Sequence, residues 1–224
     1  MSEEIIQLKN VTKTYRTGGK VLRVLDRVNM DLRFGQFITI QGVSGSGKTT
    51  LLNVLSGLEP PDEGQVMWED RSIYKMGAKK LAAWRNHMIG YVFQSYHLLP
   101  ELTAWENVML PAMIAGKSER DEAESLLRLV GLSERATHYP AQLSGGEQQR
   151  VAIARAFRND APIIVADEPT GNLDSQSAQE VIDLLEALHE RAGKTLIVVT
   201  HNHNIAQRGK VRYHLEAGRL MRLE

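Results

Sequence analysis

The sequence predicts an α/β protein: a parallel sheet covered by helices, an antiparallel β portion near the start, and an inserted helical part. Three observations carry this. The runs Phe37-Ile38-Thr39-Ile40, Ile163-Ile164-Val165-Ala166 and Thr195–Thr200 are continuously apolar or nearly so, without the alternation of a half-exposed strand, so they read as strands buried on both faces. Segments of helical spacing separate them, as crossovers between parallel strands require. A glycine-rich turn, Gly42–Thr49, joins the first of these runs to a helical pattern.

Taken in order, Ile5-Ile6-Gln7-Leu8 and Val24–Leu32 alternate as strands, and Thr17-Gly18-Gly19 marks a hairpin turn between them. The helix beginning at Thr50 is expected to end near Gly57. Pro60-Pro61-Asp62-Glu63-Gly64 is a turn cluster before the strand Gln65-Val66-Met67-Trp68. Ala78–Asn86 has helical spacing, and Ile89–Gln94 reads as a strand ending on a polar residue. Helices are expected over Ala104–Ala115, Glu119–Val130 (stopped by Gly131), Glu147–Phe157 and Ser177–Ala192. Val211–Leu215 and Arg219–Leu223 form a closing hairpin around Ala217-Gly218. One domain accounts for the chain: about 1–85 and 161–224 as core and β portion, about 86–160 as the helical insert.

Composition narrows the function. The 224 residues hold 27 Lys+Arg against 27 Asp+Glu, so the basic footprint of a nucleic-acid binder is missing. With no cysteine, disulfides and thiolate-bound zinc are excluded. Met1-Ser2-Glu3-Glu4 has neither the basic nor the apolar region of a secretion signal. No apolar run approaches the ~20 residues of a membrane span.

The chemistry lies in two glycine loops and a carboxylate pair. Gly42-Val43-Ser44-Gly45-Ser46-Gly47-Lys48-Thr49, running into Thr50, matches the phosphate-binding loop. Its glycines let backbone N–H groups curl toward an anion, and the helix start adds partial positive charge. Lys48 is expected at the outer phosphates of ATP and the Thr49 hydroxyl at Mg²⁺. Asp167-Glu168 follows a buried strand, at the strand end where ligands gather in open α/β sheets. Asp167 is placed to hold Mg²⁺, through water, and Glu168 to polarise an attacking water as general base. Leu143-Ser144-Gly145-Gly146-Glu147 opens a helix: Ser144 and Glu147 satisfy a capping box, and the glycines suit a second anion cradle.

Leu143-Ser144-Gly145-Gly146-Glu147-Gln148-Gln149-Arg150, with the phosphate loop and Ile163–Glu168, resembles the three most specific motifs of ATP-binding cassette (ABC) ATPases. The resemblance spans essentially the whole chain. It implies a P-loop NTPase, RecA-like core with an antiparallel β subdomain and an α-helical subdomain. It also implies a head-to-tail homodimer, with ATP between one protomer's phosphate loop and the signature loop (Ser144, Gly145, Gly146, Glu147) of its partner. By the same resemblance Tyr15 stacks on adenine, Gln94 contacts Mg²⁺ and water and faces a membrane partner, Gly171-Asn172-Leu173-Asp174 is the D-loop, and His201 contacts the γ-phosphate. Three positions depart from the pattern: Glu147 stands for the commoner Gln, Asn202 for Asp, and Asn172 for Ala. His201 and His203 also suggest a metal site, rejected for want of further ligands.

Gly90–Gln94 running into Leu98-Leu99-Pro100-Glu101-Leu102-Thr103-Ala104-Trp105-Glu106-Asn107-Val108, and Ala166–Asp174, resemble the LolD/MacB branch. That branch implies an ATPase subunit at the cytoplasmic face of the inner membrane, held there by a separate LolC/E-like permease, in lipoprotein release. FtsE-like control of cell-wall hydrolysis and MacB-like efflux are the alternatives. Tyr96–Pro100 either receives a coupling helix of that permease or packs within the helical part.

Overall fold

The computed structural model describes residues 4–117 and 120–223. The terminal Met1–Glu3 and the Glu119 start of one expected helix therefore lie outside the described residues. Two compact units emerge: Met1–Arg85 with Thr195–Glu224, and Asn86–Lys194.

In the first unit, β1 (Glu4–Thr17) and β2 (Lys20–Arg33) form a long antiparallel hairpin. Gly18 and Gly19 both take positive φ, 57° and 78°, which a two-residue turn matched to strand twist demands. The other edge of β1 pairs antiparallel with β4 (Glu63–Trp68), and β4 with the short β5 (Arg71–Ser72). Ile6, Leu8, Val11, Leu25, Val28, Met30 and Leu32 are buried. Beside this antiparallel sheet is the parallel part. Strand β3 (Phe37–Gln41) lies between β8 (Thr195–Thr200) and β9 (Val211–Glu216), parallel to both. Strand β10 (Arg219–Leu223) closes a hairpin on β9 through Ala217-Gly218. Every residue of β8 is buried, as its unbroken apolar run predicts. Helix α1 (Lys48–Leu55) buries Leu51, Leu52, Val54 and Leu55, and Gly57 at φ 75° follows its end. Helix α2 (Ala78–Met88) closes this stretch of chain.

In the second unit, β6 (Ile89–Val92) pairs parallel with β7 (Ile163–Asp167). Helices α3 (Ala104–Ile114), α4 (Arg120–Leu129) and α5 (Gly145–Phe157) share a core of Val108, Met109, Leu127, Val130, Leu132, Leu143 and Val151. Helix α6 (Ser175–Ala192) ends on Gly193, left-handed at φ 62°. Several boundaries differ from the sequence reading, and three of them have a local reason. Helices α5 and α6 begin two residues earlier than expected because Ser144 and Asp174 cap them. Strand β6 stops at Val92, leaving Phe93 and Gln94 beyond it, because the chain bends there into left-handed conformations at Tyr96 and His97. Among the described residues, no helix is long and apolar enough to cross a membrane.

Candidate functional site

The first unit carries Gly42–Thr50, Tyr15 and His201. Gly42 must be glycine for space: a Cβ there would lie 2.5 Å from the Leu215 carbonyl oxygen and 2.6 Å from Ser46 Oγ. Gly47, at φ 102°, is the N-cap of α1 and supplies no side-chain acceptor, and the helix has no acidic residue in its first turn. The first N–H groups of α1 therefore stand as donors without a side-chain cap, where an anion is favoured. Lys48 is buried, and its Nζ donates to the carbonyls of Gly42 and Val43, each at 2.9 Å. The ammonium is thus held over the loop rather than extended into solvent. Ser46 Oγ is buried with no hydrogen-bond partner, an orphan that a bound phosphate oxygen would satisfy. Together these donors fit a polyphosphate. Thr49 and Val43 are exposed at the mouth of the loop.

Strand register brings His201 to the same place. Gln41 pairs with Thr200, and Gly42 N–H donates to the Thr200 carbonyl at 3.4 Å, so exposed His201 begins one residue beyond. Asn202 caps the short α7 (His203–Ala206), its Oδ1 accepting from Asn204 and Ile205 N–H. The departure from Asp at this position leaves the cap intact. The Tyr15 hydroxyl donates to Glu59 Oε2 at 2.7 Å and lies 3.5 Å from Thr50 Oγ1. Lys13 Nζ sits 3.0 Å from Glu59 Oε1 and 5.7 Å from the Tyr15 ring centre. The ring is thereby fixed beside α1, and burial pushes its phenol pKa up. Nothing in the local pattern around Glu59, 44 residues from Tyr15, predicts this partnership.

The second unit carries Gln94, Ser144–Glu147, Asp167, Glu168 and Asp174. Asp167 ends β7 and is buried, as is Glu168 after it. Glu168 is held at φ 43°, strained for a non-glycine residue. Its carbonyl accepts from Gly171 N–H at 2.9 Å, closing the turn. Exposed Gln94 reaches that turn: a Cβ on Gly171 would lie 2.9 Å from Gln94 Nε2. Asn172 Nδ2 donates to the Gln94 carbonyl at 3.0 Å. The structure thus brings Gln94, Glu168 and the D-loop stretch together.

The signature loop forms the capping box that its sequence predicts. Ser144 Oγ accepts from Glu147 N–H, and Glu147 Oε2 accepts from Ser144 N–H at 2.8 Å. Glu147 Oε1 also takes Arg135 Nε at 3.0 Å. These contacts, the Ser144 N–H first, hold its carboxyl below the usual range against partial burial. Because Ser144 Oγ accepts within the box, its own O–H remains available to donate outward. Asp174 is engaged as the cap of α6, accepting from Gln176 and Ser177 N–H and from Ser177 Oγ at 2.7 Å. The Ser177 hydroxyl is the chief cause of its lowered carboxyl pKa. In the apolar segment after Gln94 the residues differ in burial. Leu98 packs on the helical core and Leu99 is 46 % exposed. Among the described residues, no cluster of three His, Asp or Glu would hold a metal unaided. A divalent ion shared with phosphate oxygens needs fewer protein ligands.

The family model described as ABC transporter matches residues 25–171. The chain is 47 % identical over 210 residues to the lipoprotein-releasing system ATP-binding protein LolD of Idiomarina loihiensis, covering 92 % of each. It is 44 % identical to the macrolide export ATP-binding/permease protein MacB 1/2 of Paracoccus denitrificans, covering 97 % of this chain but 33 % of that protein. Among solved structures it resembles the dimeric, post-hydrolysis ATP-binding cassette MJ0796 bound to ADP and Pi, with TM-score 0.89, 41 % identity, and coverage of 98 % and 99 %; a relative of that name is from Methanocaldococcus jannaschii.

Proposed function

The chain belongs to the ABC transporter family and is an ATP-hydrolysing P-loop enzyme of it; from that premise we propose that it is the ATPase subunit of a lipoprotein-releasing, LolD-like system, driving a separate LolC/E-like permease. The observation that carries the ATPase reading is the Gly42–Thr49 cradle, with Lys48 Nζ over the loop carbonyls and Ser46 Oγ unpartnered. The release reading rests on whole-length likeness to LolD, whereas MacB matches over only a third of its own length. Membrane attachment, on the cytoplasmic face, is through the permease.

The role proposed for each group is the one the family resemblance implies. The α1 N–H groups, Ser46 and Lys48 bind and orient the phosphates, and Tyr15 carries the adenine ring. Magnesium, when bound, neutralises charge on the phosphate oxygens, and Thr49, Asp167 and Gln94 are the residues that would hold it. Glu168 accepts a proton from the attacking water at its carboxylate, and His201 donates toward the γ-phosphate. Two copies close head to tail, so that the Ser144 hydroxyl and the Gly145 and Gly146 N–H groups of one face the nucleotide of the other; in support, the MJ0796 cassette that the chain resembles is dimeric and bound to ADP and Pi. Gln94, five residues before exposed Leu99, passes this closure to the permease.

The test is ATP-dependent dimerisation of Glu168→Gln by light scattering, then ATPase measurements in vesicles. Separate vesicles carry a LolC/E-like, an FtsX-like or a MacB-type membrane domain. Stimulation by the LolC/E-like permease alone is expected. Stimulation by the FtsX-like one instead would replace lipoprotein release with control of cell-wall hydrolysis, and stimulation by the MacB-type domain would replace it with efflux.

A further inference from the structure

The bend after Gln94 is strained and gripped from one helix. Tyr96 and His97 both lie in the left-handed region, at φ 59° and 47°. Two consecutive non-glycine residues there are held only where the surroundings over-determine them. The holding group is Arg155, ten residues into the signature helix α5. Its Nη1 donates to the His97 carbonyl at 2.5 Å and its Nη2 to the Tyr96 carbonyl at 2.6 Å. A planar guanidinium offers two parallel donors at fixed spacing, a geometry no lysine can copy. Arg155 is largely withdrawn from water, and its pKa is drawn down to about 10 by that burial, so loss of these carbonyls would leave a poorly solvated charge. The same bend meets the other end of α5: a Cβ on Gly145 would lie 3.0 Å from the Tyr96 hydroxyl. Ring contacts complete the fixation, with Tyr91 and Phe93 stacked 4.0 Å apart and the tilted His97 ring 4.7 Å from Phe93.

We propose that Arg155 is a positioning residue that locks the Gln94 bend to the signature helix, so that α5 and Gln94 move as one body when the signature loop engages nucleotide. This rests on the ATPase reading above. Arg155 touches neither nucleotide nor water in that scheme. It acts through the backbone of Tyr96-His97, which sets where Gln94 points.

The experiment compares wild type, Arg155→Gln, Arg155→Lys, and Arg155→Gln combined with His97→Gly. Three quantities are read: hydrogen exchange of residues 93–98, affinity for a fluorescent ATP analogue without magnesium, and ATPase rate against magnesium concentration. Arg155→Gln should speed exchange of 93–98 at least tenfold, lower kcat about tenfold, and raise half-saturating magnesium at least threefold. Nucleotide affinity should stay within twofold. Arg155→Lys should fall near Arg155→Gln. Adding His97→Gly, which tolerates positive φ without the clasp, should recover a third or more of the lost kcat. Unchanged exchange in Arg155→Gln overturns the clasp whatever the enzyme does. Faster exchange with unaltered magnesium dependence, or a kcat loss that glycine does not rescue, reduces Arg155 to a packing residue and overturns the coupling. A wild type that fails to bind the analogue refutes the ATPase reading, and the exchange result still judges the clasp.

Discussion

The side-chain amide of Asn172 donates to the backbone carbonyl of Gln94 at 3.0 Å, tying the D-loop stretch to the bend that follows β6. An alanine at this position has no donor to offer. The bond also sets Gln94 Nε2 against Gly171, where a Cβ would come within 2.9 Å. One exposed hydrogen bond is worth about 1 kcal/mol net, so its effect should appear in turnover more than in folding. Asn172→Ala is expected to lower kcat two- to tenfold while moving Tm by no more than about 3 °C. Asn172→Asp should be worse than Ala, because a carboxylate would face the carbonyl. Steady-state ATPase and calorimetry check both, and an Asp variant as active as wild type would remove the bond from the mechanism.

Glu168 combines burial with a left-handed backbone at φ 43°. Such a conformation costs of order 1–3 kcal/mol for a non-glycine residue, which a residue retained for chemistry can bear. Glu168→Gln should cut kcat by about 10²–10⁴, the range for removing a general base, while ATP-driven dimerisation persists. Glu168→Gly should be equally inactive yet no less stable than wild type, because glycine carries no penalty at that φ. Single-turnover hydrolysis and thermal melts separate the two effects. Hydrolysis left within a few-fold of wild type in the Gln variant would exclude Glu168 as the base.

Glu147, in place of the commoner Gln, makes the start of α5 sensitive to acid. Its folded-state pKa is depressed, chiefly by the Ser144 N–H and in part by Arg135. Its charge therefore stabilises fully above the ordinary Glu value of about 4.3, and that contribution is lost as pH falls through the lower folded value. Glu147→Gln keeps an acceptor for Ser144 N–H but no charge. Its Tm should lie below wild type at pH 7, and the gap should narrow as pH falls below the ordinary Glu value of about 4.3. Ser144→Arg tests the cradle itself: it should abolish hydrolysis and leave the monomer's affinity for nucleotide within twofold. A Ser144→Arg protein with normal turnover would be incompatible with a shared site.

Much of this was legible in the sequence because it depends on local patterns. Unbroken apolar runs mark β3, β7 and β8; Gly18-Gly19 marks the first hairpin; and Ser144 with Glu147 announces the cap three residues ahead of its effect. What was not legible depends on distant partners or on backbone conformation. The early end of β6 reflects left-handed Tyr96 and His97, residue types that do not advertise that conformation. The Glu59 acceptor for Tyr15 lies in a turn 44 residues away, and only folding brings it near. Asp174 belongs with the legible residues: its local pattern is that of a turn whose Asp caps the next helix, and its carboxylate accepts from Gln176 and Ser177.

The phosphate loop contains two glycines required for different reasons, and alanine tells them apart. Gly42 lies outside the left-handed region but has no room: an added Cβ meets the Leu215 carbonyl at 2.5 Å and Ser46 Oγ at 2.6 Å. The carbonyl is backbone and cannot rotate aside, and displacing Ser46 removes the orphan hydroxyl offered to phosphate. Gly45 is the reverse: its φ is 78°, and nothing lies within 4 Å of a Cβ. Alanine there costs only conformational strain, about 1 kcal/mol, equivalent to a fall of about 2–4 °C in Tm for a chain of this size. Gly45→Ala should bind a fluorescent ATP analogue within about threefold of wild type, and Gly42→Ala should bind it at least tenfold more weakly. Equal losses in the two variants would mean that flexibility of the loop, and not the close approach at Gly42, governs binding.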